Sequence, residues 1–175
     1  ISGGIARQLF PKAEIQIKGF ETSQYPDQFF DVIIGNFPFN SIRINDRKYD
    51  RHRFKIHDYF LAKSLDQVRP GGMVAAIISK YTMDKANPAI RKYVAQRAEL
   101  VGAIRLPNTA FKAVAGTEVT TDILFLKKRE REIVPDEENS PWLAIERNKD
   151  GIPLNRYYID HPEMVLGTMV FDESM

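Results

Sequence analysis

The 175-residue chain contains no cysteine and only three histidines. The missing cysteines exclude a disulfide scaffold, a thiolate zinc site and a cysteine nucleophile, and they favour a cytoplasmic protein. His52, His57 and His161 are too scattered to predict a metal centre. No apolar run reaches the roughly 18–20 residues that cross a bilayer, and no cationic-then-apolar leader opens the chain. We therefore expect no metal, no membrane partner and no secretory signal.

The composition is that of a folded domain, with 43% hydrophobic and 27% charged residues. The charges are unevenly placed along the chain. Residues 1–128 carry 20 basic against 12 acidic residues, whereas residues 129–175 carry 5 against 11. The first part could face a polyanion, although a piece cut from a larger protein often shows the same imbalance. We expect a catalytic domain over residues 1–128 and an acidic linker and tail over residues 129–175.

Apolar runs of strand length alternate with helical patterns, which predicts an α/β fold with a mostly parallel sheet. No helix is predicted between the last two strands, so the final strand should return antiparallel. A further short strand is predicted at Glu14–Phe20, where apolar and polar residues alternate. The predicted helices span residues 57–68 and 88–97, and the predicted main strands are Phe29–Gly35, Met73–Ser79, Leu100–Leu106 and Val119–Lys127.

The most specific motif is Asn36-Phe37-Pro38-Phe39, directly after the first main strand. Ligands of such sheets bind at the carboxyl ends of strands. The Asn36 amide oxygen and the Phe37 carbonyl are two acceptors, and Pro38 keeps Phe37 out of the helical region. The ring of Phe39 offers a face for stacking a base. These groups suit the exocyclic amine of a nucleobase; the alternative is a turn that packs two aromatic rings into the core.

Residues 31–39 resemble the catalytic motif of amino-group DNA methyltransferases, usually written Asn/Asp/Ser-Pro-Pro-Tyr/Phe/Trp, with Phe37 in place of the first proline. Further segments match in order: residues 68–79, then 100–107 with Phe111, then 116–126. The chain is similar to modification subunits of type I restriction systems. It is closer still to the methylase region of large helicase–methylase proteins of phages and mobile elements, which the tail around His161 also resembles.

The resemblance implies a Rossmann-like class I methyltransferase sheet, truncated at its N-terminal side, that uses S-adenosyl-L-methionine. The family's first strands, its glycine-rich cofactor loop and an acidic residue for the cofactor ribose have no counterpart in the sequence. We therefore expect a catalytic-half fragment that is inactive by itself. Phe20, Glu21 and Asn36 occupy positions that meet the cofactor in the family, although Glu21 equally suits a solvated strand end.

The reaction implied by the resemblance is direct methyl transfer to N6 of an adenine flipped out of DNA. Asn36 and the carbonyl of Phe37 would bind the two amino hydrogens, Pro38 would hold the turn, and Phe39 would stack on the base. The same turn serves methylases of RNA and of protein glutamine, so both stay open as alternatives. A third alternative is a truncated module that binds nucleic acid or a partner without methylating.

A polar, basic loop follows the motif and extends to His57. Contact with DNA phosphates and simple solvation are equally good interpretations of it. Further partners implied are DNA, the remainder of a longer polypeptide with a helicase or specificity region, and a second copy bound through an exposed sheet edge. The candidate nucleic-acid-binding residues of the loop are Arg43, Arg47, Lys48, Arg51, Arg53 and Lys55.

Overall fold

A computed structural model describes residues 2–169. Within these residues no helix is long and apolar enough to cross a membrane. The helices are α1 (Ser2–Leu9), α2 (Ile56–Gln67), α3 (Tyr81–Asp84), α4 (Ala89–Arg97), α5 (Lys112–Ala115) and α6 (Arg156–Asp160). The strands are β1 (Phe30–Asn36), β2 (Val68–Ser79), β3 (Ala98–Leu106), β4 (Thr121–Lys128), β5 (Ile145–Arg147) and β6 (Pro153–Asn155).

Four strands form the main sheet in the order β1-β2-β4-β3. β1 and β2 are parallel, and β4 runs antiparallel to both β2 and β3. Consequently β1, β2 and β3 end at one rim of the sheet, where β4 begins. The predicted α/β sheet with a reversed closing strand is confirmed. The short connection over residues 107–120 contains only the four-residue helix α5, which is too little to carry the chain back for a parallel return.

The hydrophobic core lies mainly on one face of this sheet. Val74, Ala76 and Ile78 of β2 are buried, whereas Ala75 and Ile77 between them stay partly exposed. The helices α2 and α4 contact each other as well as the sheet, so both cover the same face. The alternation of buried and partly exposed residues along β2 has the period of two expected for a strand with one covered face.

The two edges of the sheet differ. The outer edge of β3 is partly covered, because Val165 forms a bridge with Arg105 and the Leu166 N–H donates to the Arg105 carbonyl at 2.9 Å. No strand of residues 2–169 pairs with the outer edge of β1. Val32 and Ile34 of β1 are 52% and 80% exposed. An open edge with apolar side chains is a surface that favours association.

The strand predicted over Glu14–Phe20 is wrong. This segment is irregular and ends in a 3-10 turn at Phe20–Thr22. It has no neighbouring strand with which to share backbone hydrogen bonds, so alternation alone does not make it a strand. Side chains hold it instead: the Arg7 guanidinium donates to the Ile15 carbonyl, and the Tyr25 hydroxyl donates to Glu14 at 2.9 Å.

The C-terminal segment packs into the same core as the main sheet. Its apolar side chains Trp142, Leu143, Leu154 and Tyr158 are all buried there. Asn155 is fully buried, and its amide donates to the carbonyls of Met83 and Trp142 at 2.8 Å each. The division of the chain at residue 128 stays a prediction, but the residues after it contribute to the core. No helix or strand was predicted in this segment, because β5 and β6 are only three residues long.

Candidate active site

The strand β1 places the Asn-Phe-Pro-Phe motif at the rim of the sheet. Asn36 is its last residue and is exposed, and its side chain makes no hydrogen bond within residues 2–169. The Phe37 N–H donates to the Ile77 carbonyl of β2 at 3.0 Å, which extends the parallel pairing by one step. The Phe37 carbonyl accepts no hydrogen bond from the described residues. Two unpartnered acceptors therefore lie next to each other at the rim.

Phe37 anchors the motif through its side chain. The ring is 6% exposed and lies 5.8 Å from the ring of Phe60 on α2. It folds back over Gly35, where an added Cβ would come within 2.8 Å of the ring. Glycine at position 35 therefore permits this packing. The departure from the commoner proline at position 37 exchanges a rigid ring for a buried aromatic anchor, and the carbonyl of residue 37 is still without a hydrogen bond in the described structure.

The ring of Phe39 behaves differently from that of Phe37. It is 39% exposed, and no other aromatic ring of the described chain pairs with it. Phe37 thus packs into the core, as the alternative interpretation of the motif predicts, whereas Phe39 does not. An exposed aromatic ring two residues beyond a free carbonyl can stack a planar ring that this carbonyl binds.

The residues predicted to meet the cofactor lie beside this motif. Phe20 packs on Phe60 with ring centroids 4.7 Å apart, and Phe60 in turn contacts Phe37. The side chain of Glu21 is exposed, and its backbone carbonyl accepts a hydrogen bond from Lys63 at 3.3 Å. The structure thus brings Phe20, Phe37 and Asn36 into one region through a cluster of aromatic rings.

A cleft of about 530 Å³ opens next to this cluster, a volume within the range of small-molecule sites. Phe20, Phe30, Ile33 and Phe60 form apolar walls, and polar side chains such as Gln67 lie at its margin. Apolar walls with a few polar groups fit the adenine ring of S-adenosylmethionine. The described residues therefore fit part of this cofactor, on the side of its base. Among residues 2–169, no group of three His, Asp or Glu side chains is placed to hold a metal ion.

The basic loop over residues 40–55 is fixed by two aspartates. Asp46, inside the loop, accepts hydrogen bonds from the Tyr59 hydroxyl at 2.8 Å and from Lys63 at 3.0 Å. Asp66, near the end of α2, accepts one from the Tyr49 hydroxyl at 2.8 Å. Burial opposes the charge of both carboxylates, but these donors hold the pKa of each below its usual value.

The six candidate phosphate-binding residues of the loop are not equivalent. Lys48 forms ion pairs with Asp27 at 2.7 Å and with Asp66 at 2.9 Å, so its charge is neutralised within the fold. The Arg51 Nε donates to the His52 ring at 3.1 Å. Lys48 thus has a structural partner that the sequence did not reveal. The side chains without a hydrogen bond or ion pair in the described structure are those of Arg43, Arg47, Arg53 and Lys55.

Sequence reasoning missed the residues of α2 that support the site. Tyr59, Lys63 and Asp66 lie on one side of the helix and bind the loop, and Phe60 joins the two aromatic parts of the site. The available signal was their spacing, because residues four and three positions apart share a helix face. Polar residues at this spacing on one face of a buried helix indicate an internal partner, here a loop that precedes the helix.

Acid should loosen the loop before it unfolds the domain. The pKa of Asp46 and Asp66 is lower in the folded state than in the unfolded state, so the stability they contribute is present above about pH 4 and is lost as pH falls through their folded pKa. Hydrogen bonds to a charged group contribute roughly 1.5–3 kcal/mol each. We expect amide hydrogen exchange in residues 42–55, corrected for intrinsic rates, to accelerate between pH 5 and pH 3. In Asp66→Asn the loop should already exchange faster at pH 7. Equal protection of the unaltered loop at pH 5 and at pH 3 would contradict this prediction.

Comparison with known proteins gives one family. The profile of the family described as N-6 DNA Methylase matches residues 11–154. The Defense against restriction protein B of Escherichia phage P1 is 32% identical to this chain over 139 residues, which cover 76% of the chain and 6% of that protein. The chain therefore spans only a small part of the length of this relative.

Solved structures with a similar fold include subunits of type I restriction enzymes. The EcoKI M protein superposes with a TM-score of 0.46 at 21% identity, over 57% of this chain and 21% of that chain. A modification subunit from Vibrio vulnificus YJ016 superposes with a TM-score of 0.49 at 14% identity, over 75% of this chain and 39% of that chain. Scores below 0.5 carry no weight in the assignment. The family match alone covers most of the sequence, and on that ground the chain belongs to the N-6 DNA methylase family.

Proposed function

We propose that this chain is the catalytic part of an S-adenosylmethionine-dependent DNA adenine-N6 methyltransferase. The observation that carries the proposal is the arrangement at the end of β1. There the Asn36 amide and the Phe37 carbonyl, on consecutive residues, make no hydrogen bond within residues 2–169, and the exposed Phe39 follows two positions on. Membership of the N-6 DNA methylase family supports the same reaction.

In this proposal the chain acts by alignment and electrostatics. The Asn36 Oδ1 and the Phe37 carbonyl oxygen each accept one hydrogen of the adenine N6 amine, which disfavours delocalisation of the nitrogen lone pair into the ring. Phe39 stacks on the base after it leaves the duplex. Neither acceptor is basic enough to take a full proton, so the proton that N6 gives up passes to solvent.

S-adenosylmethionine, when bound, supplies an electrophilic methyl group on a sulfonium. The residues of this chain that would hold it are Phe20, which lines the cleft, Glu21 next to it in sequence, and Asn36 at the end of β1, whose first half also lines the cleft. The glycine-rich loop and the ribose-binding acid of the family have no counterpart in the 175 residues. We therefore propose that these residues alone bind the cofactor weakly and are inactive, and that activity belongs to a longer protein containing them.

Exposed cations favour DNA over a protein substrate. Arg43, Arg47 and Arg53 follow the motif directly and have no partner within the described residues. A glutamine side chain would have no use for this charge, whereas the phosphates of a nucleic acid would. The choice of DNA over RNA rests on the family.

The proposed function is tested by locating the transferred methyl group. Full-length protein is incubated with methyl-labelled S-adenosylmethionine and, in parallel, unmethylated duplex DNA, RNA of the same sequence and a glutamine peptide. After digestion, we expect the label in N6-methyladenine from DNA alone. Label in RNA or peptide, with none in DNA, would replace the proposed substrate by one of the alternatives.

The open edge of β1 leads us to propose self-association of the isolated chain. Ile34 is 80% exposed on a strand without an outer neighbour. We expect light scattering of the 175-residue chain to show a dimer, and Ile34→Lys to shift it towards monomer, because a charge on an edge strand opposes pairing. Val114→Lys, at another exposed apolar position on α5, serves as the control and should leave the dimer unchanged. A monomer for the unaltered chain would refute the proposal.

A further inference from the structure

The basic loop encloses a cavity lined by two of its arginines. Arg43 and Arg53 lie on the wall of this cavity, whose volume is about 200 Å³. Tyr49, Phe54 and Tyr59 form a largely buried floor. Since a water molecule takes about 30 Å³ in the liquid, the space can hold a group of phosphate size together with several waters.

Both arginines are free to bind a ligand. Within residues 2–169 neither guanidinium donates a hydrogen bond or forms an ion pair, although Lys48 in the same loop is paired. One carboxylate, that of Asp50, also lines the cavity, and it accepts the backbone N–H of Asp46 at 2.9 Å. The two guanidinium groups therefore outnumber the single carboxylate, and the cavity carries a net positive charge.

Arg53 occupies a backbone position that suits glycine better than arginine. Its φ and ψ are 52° and 35°, in the left-handed region. A non-glycine residue is strained there, and such strain tends to be kept where the side chain has a use. The Arg53 side chain contributes no hydrogen bond to the described fold, so its use lies outside the fold.

The loop holds the arginines in a fixed frame. Its ends meet, because the Ile56 N–H donates to the Ile42 carbonyl at 3.0 Å. Asp46 and Tyr49 attach its middle to α2. A frame that is ordered before binding loses little conformational freedom when the ligand arrives.

We propose that Arg43 and Arg53 form a preformed pocket for one phosphodiester group of DNA. The inference deepens the proposed function, because DNA is its substrate, and it assigns the pocket to these two arginines rather than to the loop as a whole. The planar fork of a guanidinium matches the oxygens of a phosphate. Since the loop starts directly after Phe39, the bound phosphate would lie near the base that this ring stacks.

The test is duplex-DNA binding by the full chain at several salt concentrations. Arg43→Gln and Arg53→Gln should each weaken binding about tenfold and lower the salt slope by about 0.9, the value for one phosphate. The double variant should lower the slope no further, because both arginines hold the same phosphate. Arg131→Gln is the matched control: this arginine is exposed, has no hydrogen bond or ion pair within the described residues and lies outside the loop and the cavity, so affinity should change less than twofold.

A second variant separates binding from folding. Arg53→Gly relieves the left-handed strain, so its melting temperature should equal or exceed that of the unaltered chain while DNA affinity still falls about tenfold. Equal loss for Arg131→Gln, a doubled slope change in the double variant, or no DNA binding by the unaltered chain would overturn the pocket. The pocket would also be overturned if inorganic phosphate raised the melting temperature only when both arginines were present, while neither substitution changed DNA binding. That result would identify a site for free phosphate instead. If the variants showed this DNA-binding pattern but the full-length protein transferred no methyl group to DNA, the proposed function would be refuted and the phosphate pocket would stand.

Discussion

Replacing Asn36 by alanine is expected to lower methyl transfer by the full-length protein by about 10²–10³-fold, the usual effect of removing one preorganised hydrogen-bonding group at a reacting centre. The side chain is exposed and has no protein partner within the described residues, so its removal costs the fold little. We expect the melting temperature to stay within about 2 °C, because surface substitutions of this kind usually change stability by less than 0.5 kcal/mol. Rates measured with labelled S-adenosylmethionine and saturating DNA provide the test.

The control for this variant is Asn40→Ala. Asn40 is the same residue type, four positions along and also exposed, and among the described residues its side-chain oxygen accepts only the Ile42 N–H, at 3.2 Å. Methyl transfer should stay within about threefold of the unaltered protein. If Asn36→Ala retained its turnover, or if Asn40→Ala lost as much, the catalytic assignment of the motif would fail.

Replacing Arg105 by methionine is expected to destabilise the fold by about 3–5 kcal/mol, the range for breaking a buried ion pair. The guanidinium donates two hydrogen bonds to Asp122, at 2.8 and 2.9 Å, and one to Asp84 at 2.6 Å. Arg105 and Asp122 are direct partners in the pairing of β3 and β4, and both side chains are almost fully buried. At roughly 2–4 °C per kcal/mol, the melting temperature should fall by about 6–20 °C.

The pH dependence of this variant has a defined sign. Burial raises the pKa of Asp122 even with Arg105 present, and loss of the arginine raises it further. A carboxyl whose pKa is higher in the folded state stabilises the fold at low pH, and this contribution is lost as pH rises through the folded pKa. The variant should therefore lose less stability at pH 5 than at pH 8, as measured by thermal melting.

Two further variants complete this test. Arg105→Met combined with Asp122→Leu removes both buried charges and should recover much of the lost stability. Arg156→Met breaks exposed pairs with Asp160 and Glu146 and should cause no measurable change. A double variant as unstable as the single one, or a single variant as stable as the unaltered chain, would show that the buried pair does not support the rim.

The main strands were predictable from sequence because each is an apolar run of strand length. The reversed direction of β4 followed from the absence of a crossover helix before it. Asp122 was recognisable as a residue that needs a partner, since it interrupts such a run. Its partner Arg105 was not, because the pairing depends on the register of β3 against β4, which no local pattern specifies.

The features that sequence reasoning missed depend on contacts between distant segments. The period of Glu14–Phe20 indicated a strand, but a strand needs a neighbour, and none of the described residues provides one. From sequence, Lys48 could not be distinguished from the other cations of the loop, because its ion-pair partners Asp27 and Asp66 are distant along the chain. Phe37 and Phe39 are the same residue type two positions apart, and only the packing of Phe60 separates the buried anchor from the exposed ring.

A crystal structure of the full-length protein with duplex DNA and S-adenosylhomocysteine would show whether the motif at the end of β1 binds the target adenine. We expect one adenine outside the helix, with its N6 within about 3.2 Å of both the Asn36 Oδ1 and the Phe37 carbonyl oxygen, hydrogen-bond distances for such groups. Its ring should lie parallel to that of Phe39. An adenine bound elsewhere, or an Asn36 amide turned into a hydrogen bond with the protein, would contradict the account.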